Sequence, residues 1–315
     1  MDKWSLLSVC IPTYNRDYLI QECLVKLCPV AYENNVQVHI SDNASSDDTE
    51  NIIKKFMRQY ENVFYYKHDE NMGADRNIEF VLKQPKTKYR WLLGDGYFIS
   101  DDNIKKILRD LNRDEFDFYV VNATIRTLSL DERIYTDKDK LLSELGWHMT
   151  LLGCTIYNAS FLHLVNYKKY YNSYFIQTGI IFEYCASVLF KLKFNPNIII
   201  NLIVCEKKNH WLHRAFEIFC KKWYMFVVSL PFTYSDKAKK ECIVNHNKNT
   251  NFFSMRNILY WRSLNYFNMK TILKYKFYIY QSTSLSIVLL ALLVSIVPVQ
   301  LFYLTKNICR KLTFK

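Results

Sequence analysis

Five short apolar runs occupy the first 125 positions, about 25 residues apart and alternating with amphipathic stretches. No other feature of the chain restricts its fold as strongly. Leu6–Ile11 is halted by Pro12 and reads as a buried strand. Asp17–Cys28 has helical spacing, with Leu19, Ile20, Cys23, Leu24 and Leu27 on one face. Val36–Ile40 predicts the second strand. Asp47–Tyr60 predicts a helix with Asp47 as N-cap, Glu50 as its capping-box partner and Ile52, Ile53, Phe56 and Met57 as core stripe. Val63–Tyr66, Tyr89–Leu93 and Phe116–Val121 read as further strands, with helices over Ala74–Leu82 and Ile104–Leu111. This spacing leaves room for a crossover helix after each strand, so it implies an α/β fold with a mainly parallel, Rossmann-like sheet. Such sheets take ligands at the carboxyl ends of their strands.

The loops at those ends hold the polar residues that matter. Pro12-Thr13-Tyr14-Asn15-Arg16 follows the first strand, and Ser41-Asp42-Asn43 leads a Ser/Asp-rich turn to Thr49 after the second. Asn71-Met72-Gly73-Ala74-Asp75-Arg76-Asn77 opens the third helix, and Leu92-Leu93-Gly94-Asp95-Gly96 closes the fourth strand. Each is weak alone; their order and spacing are specific. Together they resemble the family 2 glycosyltransferases, with a GT-A fold, and most of all the bacterial branch that builds capsule, lipopolysaccharide or other surface glycans. The resemblance covers about residues 5–125 well and thins to topology by about residue 205.

The resemblance implies an inverting transfer of a sugar from a UDP- or dTDP-sugar to a lipid-linked or growing glycan. It places Pro12, Thr13, Tyr14, Asn15, Arg16, Asp42, Asn43, Gly73, Arg76, Asn77, Gly94 and Asp95 around the donor. Tyr14 would wall the base and Asp42 would accept its imide N–H, unless Asp42 serves its own turn. Gly73 would admit backbone to the nucleotide. Arg76 would pair with phosphate, or with Asp75 or Glu79 on the surface. Family members carry two or three carboxylates after the fourth strand to hold a divalent cation, Mn²⁺ or Mg²⁺. Here Asp95 stands alone as metal ligand, and Asp101 and Asp102 suit a helix N-terminus. Three outcomes stay open: metal held by Asp95 with the diphosphate, a site working with little metal, or a fold that has lost catalysis. The family's general base is a carboxylate in the third quarter of the domain. Glu183, in an apolar stretch that could raise its pKa, is the candidate; the alternative is a surface Glu paired with Lys. His148 is the second candidate base, and Trp147 beside it could stack on an acceptor sugar or lie in the core.

Charge divides the chain. Residues 231–315 carry 13 Lys and Arg against 2 Asp and Glu, so nearly all of the net +12 belongs to the tail. Phe277–Thr305 holds no charged residue, with Lys270, Lys274 and Lys276 before it and Lys306, Arg310, Lys311 and Lys315 after it. Symmetric basic flanks favour an interfacial or re-entrant segment on a cytoplasmic leaflet over a single span of Leu285–Leu304 or a buried soluble helix. Aromatic residues from Phe252 to Tyr280, Trp261 among them, suit the headgroup layer. The expected organisation is a GT-A domain over 1–230, with a nucleotide-binding half (1–125) and an acceptor half (126–230), then a helical, basic, membrane-associating region over 231–315. The expected location is the cytoplasmic face of the plasma membrane. No zinc, RRM or helix-turn-helix pattern supports nucleic-acid binding. Nine Cys without a CxxC read as reduced thiols. Asp2 and Lys3 leave no room for a signal peptide before the first strand. Oligomerisation is compatible with all of this, and the rival reading is a degenerate GT-A scaffold that binds a glycan or membrane without turnover.

Overall fold

The computed structural model describes residues 4–205 and 212–302. These form two compact units, one of residues 4–141 and 148–205 and the other of residues 142–147 and 212–302.

The first unit is built on a nine-stranded sheet. β1 (Leu7–Thr13), β2 (Gln37–Asp42), β3 (Val63–Lys67) and β4 (Tyr89–Leu92) alternate with α1 (Asp17–Glu33), α2 (Thr49–Gln59) and α3 (Ala74–Lys83). β5 (Tyr97–Phe98), α4 (Asp101–Arg113), β6 (Phe118–Ala123), β7 (Arg133–Tyr135), α5 (Lys138–Leu145, whose second half belongs to the other unit), β8 (Thr155–Asn158), α6 (Ile176–Cys185) and β9 (Leu192–Leu202) follow. The order across the sheet is β3-β2-β1-β4-β8-β6-β9-β5, with β7 also on β9. The β1–β2, β2–β3 and β1–β4 pairs are parallel. Leu7–Ile11 is buried throughout, Ser8 included, and Val36, Val38, His39 and Ile40 are buried, as a strand with helices on both faces requires.

Three details of the sequence reading change. β8 enters antiparallel between β4 and β6, so the predicted fourth and fifth strands are not neighbours. Trp91 of β4 donates its indole N–H to the Gly153 carbonyl at 2.7 Å. Gly153, at φ +108°, leads into β8, and a Cβ there would stand 2.4 Å from Ile200 Cδ1. On α2 the capping box is absent: Asp47 accepts from the backbone N–H and hydroxyl of Thr49, while Glu50 pairs with Lys54 and Lys67. Met57 is exposed rather than part of the core stripe.

His39 of β2 lies buried against Phe64, ring centroids 4.6 Å apart, and bonds Gln37 and Tyr66. Burial, helped by the Arg90 guanidinium, pushes its pKa down to about 4. Burial pushes His148 down to about 3. Both rings are therefore neutral when folded, whereas the unfolded chain protonates them near pH 6.5. The unfolded state binds the extra protons, so stability is intact above that pH and is lost progressively below it, for His39 by about 3 kcal/mol once pH falls under the folded value. Denaturation midpoints should drop between pH 6.5 and 4, and His39→Phe should flatten that slope. Midpoints that stay level across the window would show the rings to be protonated in the fold.

The second unit is helical: α7 (Trp223–Ser229), α8 (Asp236–Asn249), α9 (Met255–Ser263), α10 (Met269–Ser282) and α11 (Leu285–Ile296). Its core gathers Phe216, Phe252, Phe253, Trp261, Phe267, Ile272, Ile279 and Val294. Trp261 is thus a core residue, its indole N–H donated to the Phe252 carbonyl at 3.3 Å, and not a headgroup anchor. No helix among the described residues is long and apolar enough to cross a membrane. α11 stops before Pro298 after 12 residues, so the continuous span Leu285–Leu304 does not form as one helix over the described part; residues 303–315 lie outside the description. Seven of the eight described cysteines are buried.

Candidate functional site at the carboxyl edge of the parallel strands

Thr13 and Asp42 end β1 and β2 in register, so the two chains leave the sheet side by side. Asn15, at φ 50°, turns the first loop; its N–H donates to Ser45 Oγ at 2.8 Å and its Oδ1 accepts from the Ser46 N–H at 2.8 Å. Asn43 donates its backbone N–H to the Thr13 carbonyl and its side-chain amide to Asn71 Oδ1, and accepts from the Met72 N–H. Gly73 follows at φ +87°, ψ 159°, a conformation nearly confined to glycine. Asn77, one turn into α3, is buried. It accepts from Ser41 Oγ at 2.5 Å and donates to the Ser41 and Thr13 carbonyls at 3.1 and 3.4 Å. Three segments separate in sequence are thereby tied into one rim.

Asp95 joins from the end of β4. Its Oδ2 accepts from Thr13 Oγ1 at 2.9 Å and its Oδ1 accepts from Arg16 Nη1 at 2.6 Å. The Asp95 side chain is 3% exposed and that of Arg16 42%. Burial raises the Asp95 pKa, against the pull of Arg16 and Thr13. Gly94 beside it packs on the Tyr97 ring, and Pro12 and Tyr14 flank Thr13, with Tyr14 exposed. Tyr14, Asp42 and Asp95 therefore converge through Thr13.

Both oxygens of the one local carboxylate are engaged, and among the described residues no three His, Cys, Asp or Glu side chains could share an ion. Asp101 and Asp102 do not supply the shortfall. They lie in the first turn of α4, and Asp101 accepts from Asn34 at 2.7 Å and pairs with Lys105. The residues present do not fit a dedicated metal centre.

Several predicted side chains are engaged otherwise than the sequence reading has them. Asp42 is fully buried, its Oδ1 accepting from the Ser45 N–H and its Oδ2 from the Tyr65 hydroxyl, both at 2.8 Å. It serves its own turn, and no surface of it is open to a base. Glu183 accepts from Lys169 Nζ at 2.7 Å and Tyr170 Oη at 2.5 Å. Burial alone would raise its pKa, but those two donors outweigh it and hold the carboxyl below its usual range. The next residue, Tyr184, donates to Asp117 at the amino end of β6, the sheet edge opposite Asp95. Glu183 is thus a paired surface carboxylate remote from the rim. His148 is buried with Nε2 on the Val121 carbonyl at 2.9 Å, and Trp147 is buried as well, so neither presents a face to an acceptor. Arg76 is exposed and stacks its guanidinium 5.2 Å from the Tyr171 ring centre. Tyr171 also donates to Glu79.

Two contributors were missed. Tyr65, the partner of Asp42, lies on β3 in a run whose alternation with Phe64 and Tyr66 carries no functional sign. Asp75 is buried among backbone N–H groups of Asn172, Ser173, Tyr174 and Ile176, and its burial raises its pKa to about 6. It ties the start of α3 to the segment leading into α6, a contact across about 100 residues that local pattern cannot show.

The profile of glycosyl transferase family 2 matches residues 8–193. Abequosyltransferase RfbV of Salmonella typhimurium is 32% identical over 117 residues, 36% of this chain and 35% of that protein. The uncharacterized protein Rv1520 of Mycobacterium tuberculosis is 29% identical over 109 residues, 34% of this chain and 32% of its own length. The matches thus take in about a third of those relatives. The S. aureus TarS 1–349 complex with UDP-GlcNAc superposes with a TM-score of 0.57 at 15% identity, covering 82% of this chain and 75% of that one. Mannosyltransferase PcManGT from Pyrobaculum calidifontis, in complex with GDP-Man and Mn²⁺, superposes with a TM-score of 0.55 at 12% identity over 90% and 85% of the two chains. The fold is shared with these GT-A structures, and with its profile match spanning more than half of the sequence, the chain belongs to glycosyltransferase family 2.

Proposed function

We propose that this protein transfers a sugar from a nucleotide-sugar, UDP- or dTDP-linked, to a lipid-linked or growing bacterial surface glycan such as capsule or lipopolysaccharide. The observation that carries the reading is the rim itself: loops after β1, β2 and β4, bonded together through Thr13, Asn43 and Asn77, with an exposed ring and an exposed cation on it. The half-exposed Tyr14 ring offers a flat apolar wall for a nucleobase. Arg16 and, further along the rim, Arg76 supply positive charge for a diphosphate. Asp42, Asn43 and Asn77 act on the donor through the loops they hold rather than by contact. In the inverting sense implied by family resemblance, the acceptor oxygen attacks the anomeric carbon opposite the diphosphate. The UDP-GlcNAc complex of a similar fold and the abequosyltransferase relative support the donor class and the surface-glycan direction. A divalent cation, as in the PcManGT complex, would have to share Asp95 with Thr13 and Arg16.

Calorimetry of the purified chain against a panel of UDP-, dTDP-, GDP- and CDP-sugars, with and without Mn²⁺, tests the reading. Binding of at least one donor, with slow hydrolysis or transfer, is the expected result; a panel on which nothing binds overturns it. Donor binding without turnover on any acceptor extract would favour the scaffold.

We place the protein at an anionic membrane surface through its helical unit. Leu273, Phe277 and Tyr280 on α10, and Leu285, Leu289, Leu293 and Ile296 on α11, are each more than half exposed, beside exposed Lys270, Lys274 and Lys276.

A further inference from the structure

We infer that Arg16, clamped by Asp95, is the cation that faces the donor's diphosphate, and that transfer proceeds without a divalent metal. This rests on the nucleotide-sugar reading above and adds what neutralises the leaving group. Three observations carry it. Both oxygens of the carboxylate that a metal would need already accept a hydrogen bond, Oδ2 from the Thr13 hydroxyl and Oδ1 from the Arg16 guanidinium. A metal seated on Asp95 would have to share that carboxylate with both donors and stand beside a fixed positive charge. Second, the pair is asymmetric: Asp95 is buried and Arg16 is 42% exposed, so the carboxylate holds the guanidinium from behind while its outer side stays accessible. Third, Arg16 presents a planar fork of five N–H donors, of which Nη1 is used on Asp95, and such a fork matches phosphate oxygens in pairs. Arg16 also sits at the residue just before α1, in the loop that carries Tyr14, where base and diphosphate could be met by one short segment.

In the transfer, the acceptor hydroxyl oxygen forms the bond to the anomeric carbon. The bond from that carbon to the diphosphate oxygen breaks, and its electron pair leaves with the nucleoside diphosphate. The hydroxyl proton passes to solvent. Arg16 exchanges neither proton nor electrons; it opposes the charge that grows on the departing oxygen. Asp95 is a positioning residue acting through Arg16.

The test uses the full chain with UDP and dTDP as probes, and the nucleotide-sugar identified on the panel. Expected in the wild type is nucleotide affinity and turnover unchanged by EDTA, and unchanged again when Mn²⁺ is added. Arg16→Ala should weaken nucleotide binding in EDTA by about tenfold to a hundredfold, the worth of charge-assisted hydrogen bonds. It should also make the site respond to metal, since Asp95 is then free to coordinate: Mn²⁺ should restore affinity to this variant alone. Arg16→Lys, which keeps the charge and guards against misfolding around an unpaired Asp95, should retain part of the affinity and stay indifferent to metal. Asp95→Asn should lower affinity less than Arg16→Ala, and the double variant should lose little beyond Arg16→Ala, as expected if Asp95 acts only through Arg16. Wild-type activity abolished by EDTA and restored by Mn²⁺ overturns the inference, as does nucleotide binding indifferent to both metal and Arg16. Failure of every nucleotide to bind, in either condition, strikes instead at the nucleotide-sugar reading.

Discussion

Asn77→Ala is expected to destabilise the first unit by about 2–3 kcal/mol and to lower kcat/KM by about a hundredfold. The stability cost arises because the side chain is buried and answers three polar groups at once: Ser41 Oγ, the Ser41 carbonyl and the Thr13 carbonyl. Alanine removes the side-chain donor from the Ser41 and Thr13 carbonyls in a site that water does not reach; Thr13 keeps the Asn43 N–H, and the cost is that of the three lost hydrogen bonds. Ser41 Oγ keeps its contact to His68 Nε2, so the loss stops short of unfolding the unit. The catalytic cost has a different origin. Asn77 fixes the first turn of α3 to the ends of β1 and β2, and with it Gly73 and Arg76 relative to Tyr14 and Arg16. A shift of this rim by about 1 Å is enough to misalign a donor whose base and diphosphate are gripped by different loops. Asn77→Asp keeps the acceptor for Ser41 but removes both donors, and should fall on the same side. Denaturation curves and donor kinetics on the two variants check this; a folded Asn77→Ala variant with wild-type kcat/KM would remove the rim from the mechanism.

The parts of this arrangement that could be read from sequence are those written in local periodicity. Leu6–Ile11 and the stripe of α1 betray themselves because a strand buried on both faces is a nearly continuous apolar run and a covering helix repeats every three to four residues, while Val36–Ile40 shows itself by the alternation of Val36, Val38 and Ile40. β9 hides for the opposite reason. Asn195, Pro196 and Asn197 interrupt it where its register on β6 shifts between Val121 and Asn122, so its longest apolar piece looks too short and too polar at its start. The helical spacing of Asp17–Cys28 likewise falls short of the end of α1, which continues through Pro29 to Glu33. Among the site residues, position was legible and orientation was not. Thr13, Asn43, Asn77 and Asp95 lie where the motif spacing puts them, but whether a carboxylate faces inward depends on partners far along the chain. Ser45 and Tyr65 occupy Asp42, Arg16 occupies Asp95, and Lys169 with Tyr170 occupies Glu183.

Replacing Leu285, Leu289, Leu293 and Ile296 together by serine should lower partition onto anionic vesicles by about a thousandfold. Each of these side chains is 54–67% exposed, and burying that fraction in the acyl boundary is worth about 1 kcal/mol, so the four sum to about 4 kcal/mol. They recur at helical spacing on α11, while Ala291 and Val294 face the core of the unit, so the exposed row is a property of one side of the helix. A helix of 12 residues is about 18 Å long against a hydrocarbon layer of about 30 Å, so the row suits a helix lying in the interface. The basic surplus of residues 231–315 selects anionic lipid as the occupant, and raising salt should weaken binding without abolishing it, because screening acts on the lysines and leaves the leucines untouched. Vesicle flotation with and without phosphatidylglycerol reads both terms. Wild-type binding that ignores lipid charge, or a serine variant that floats as well as wild type, would refute lipid docking. A lipid-free dimer that the serine variant dissolves would assign the row to a second copy of the chain. A lipid-linked acceptor is confined to the bilayer surface, so a chain that rests on that surface meets its acceptor by diffusion in two dimensions. The serine variant should accordingly keep its turnover on a short soluble acceptor and lose it on vesicle-borne glycan.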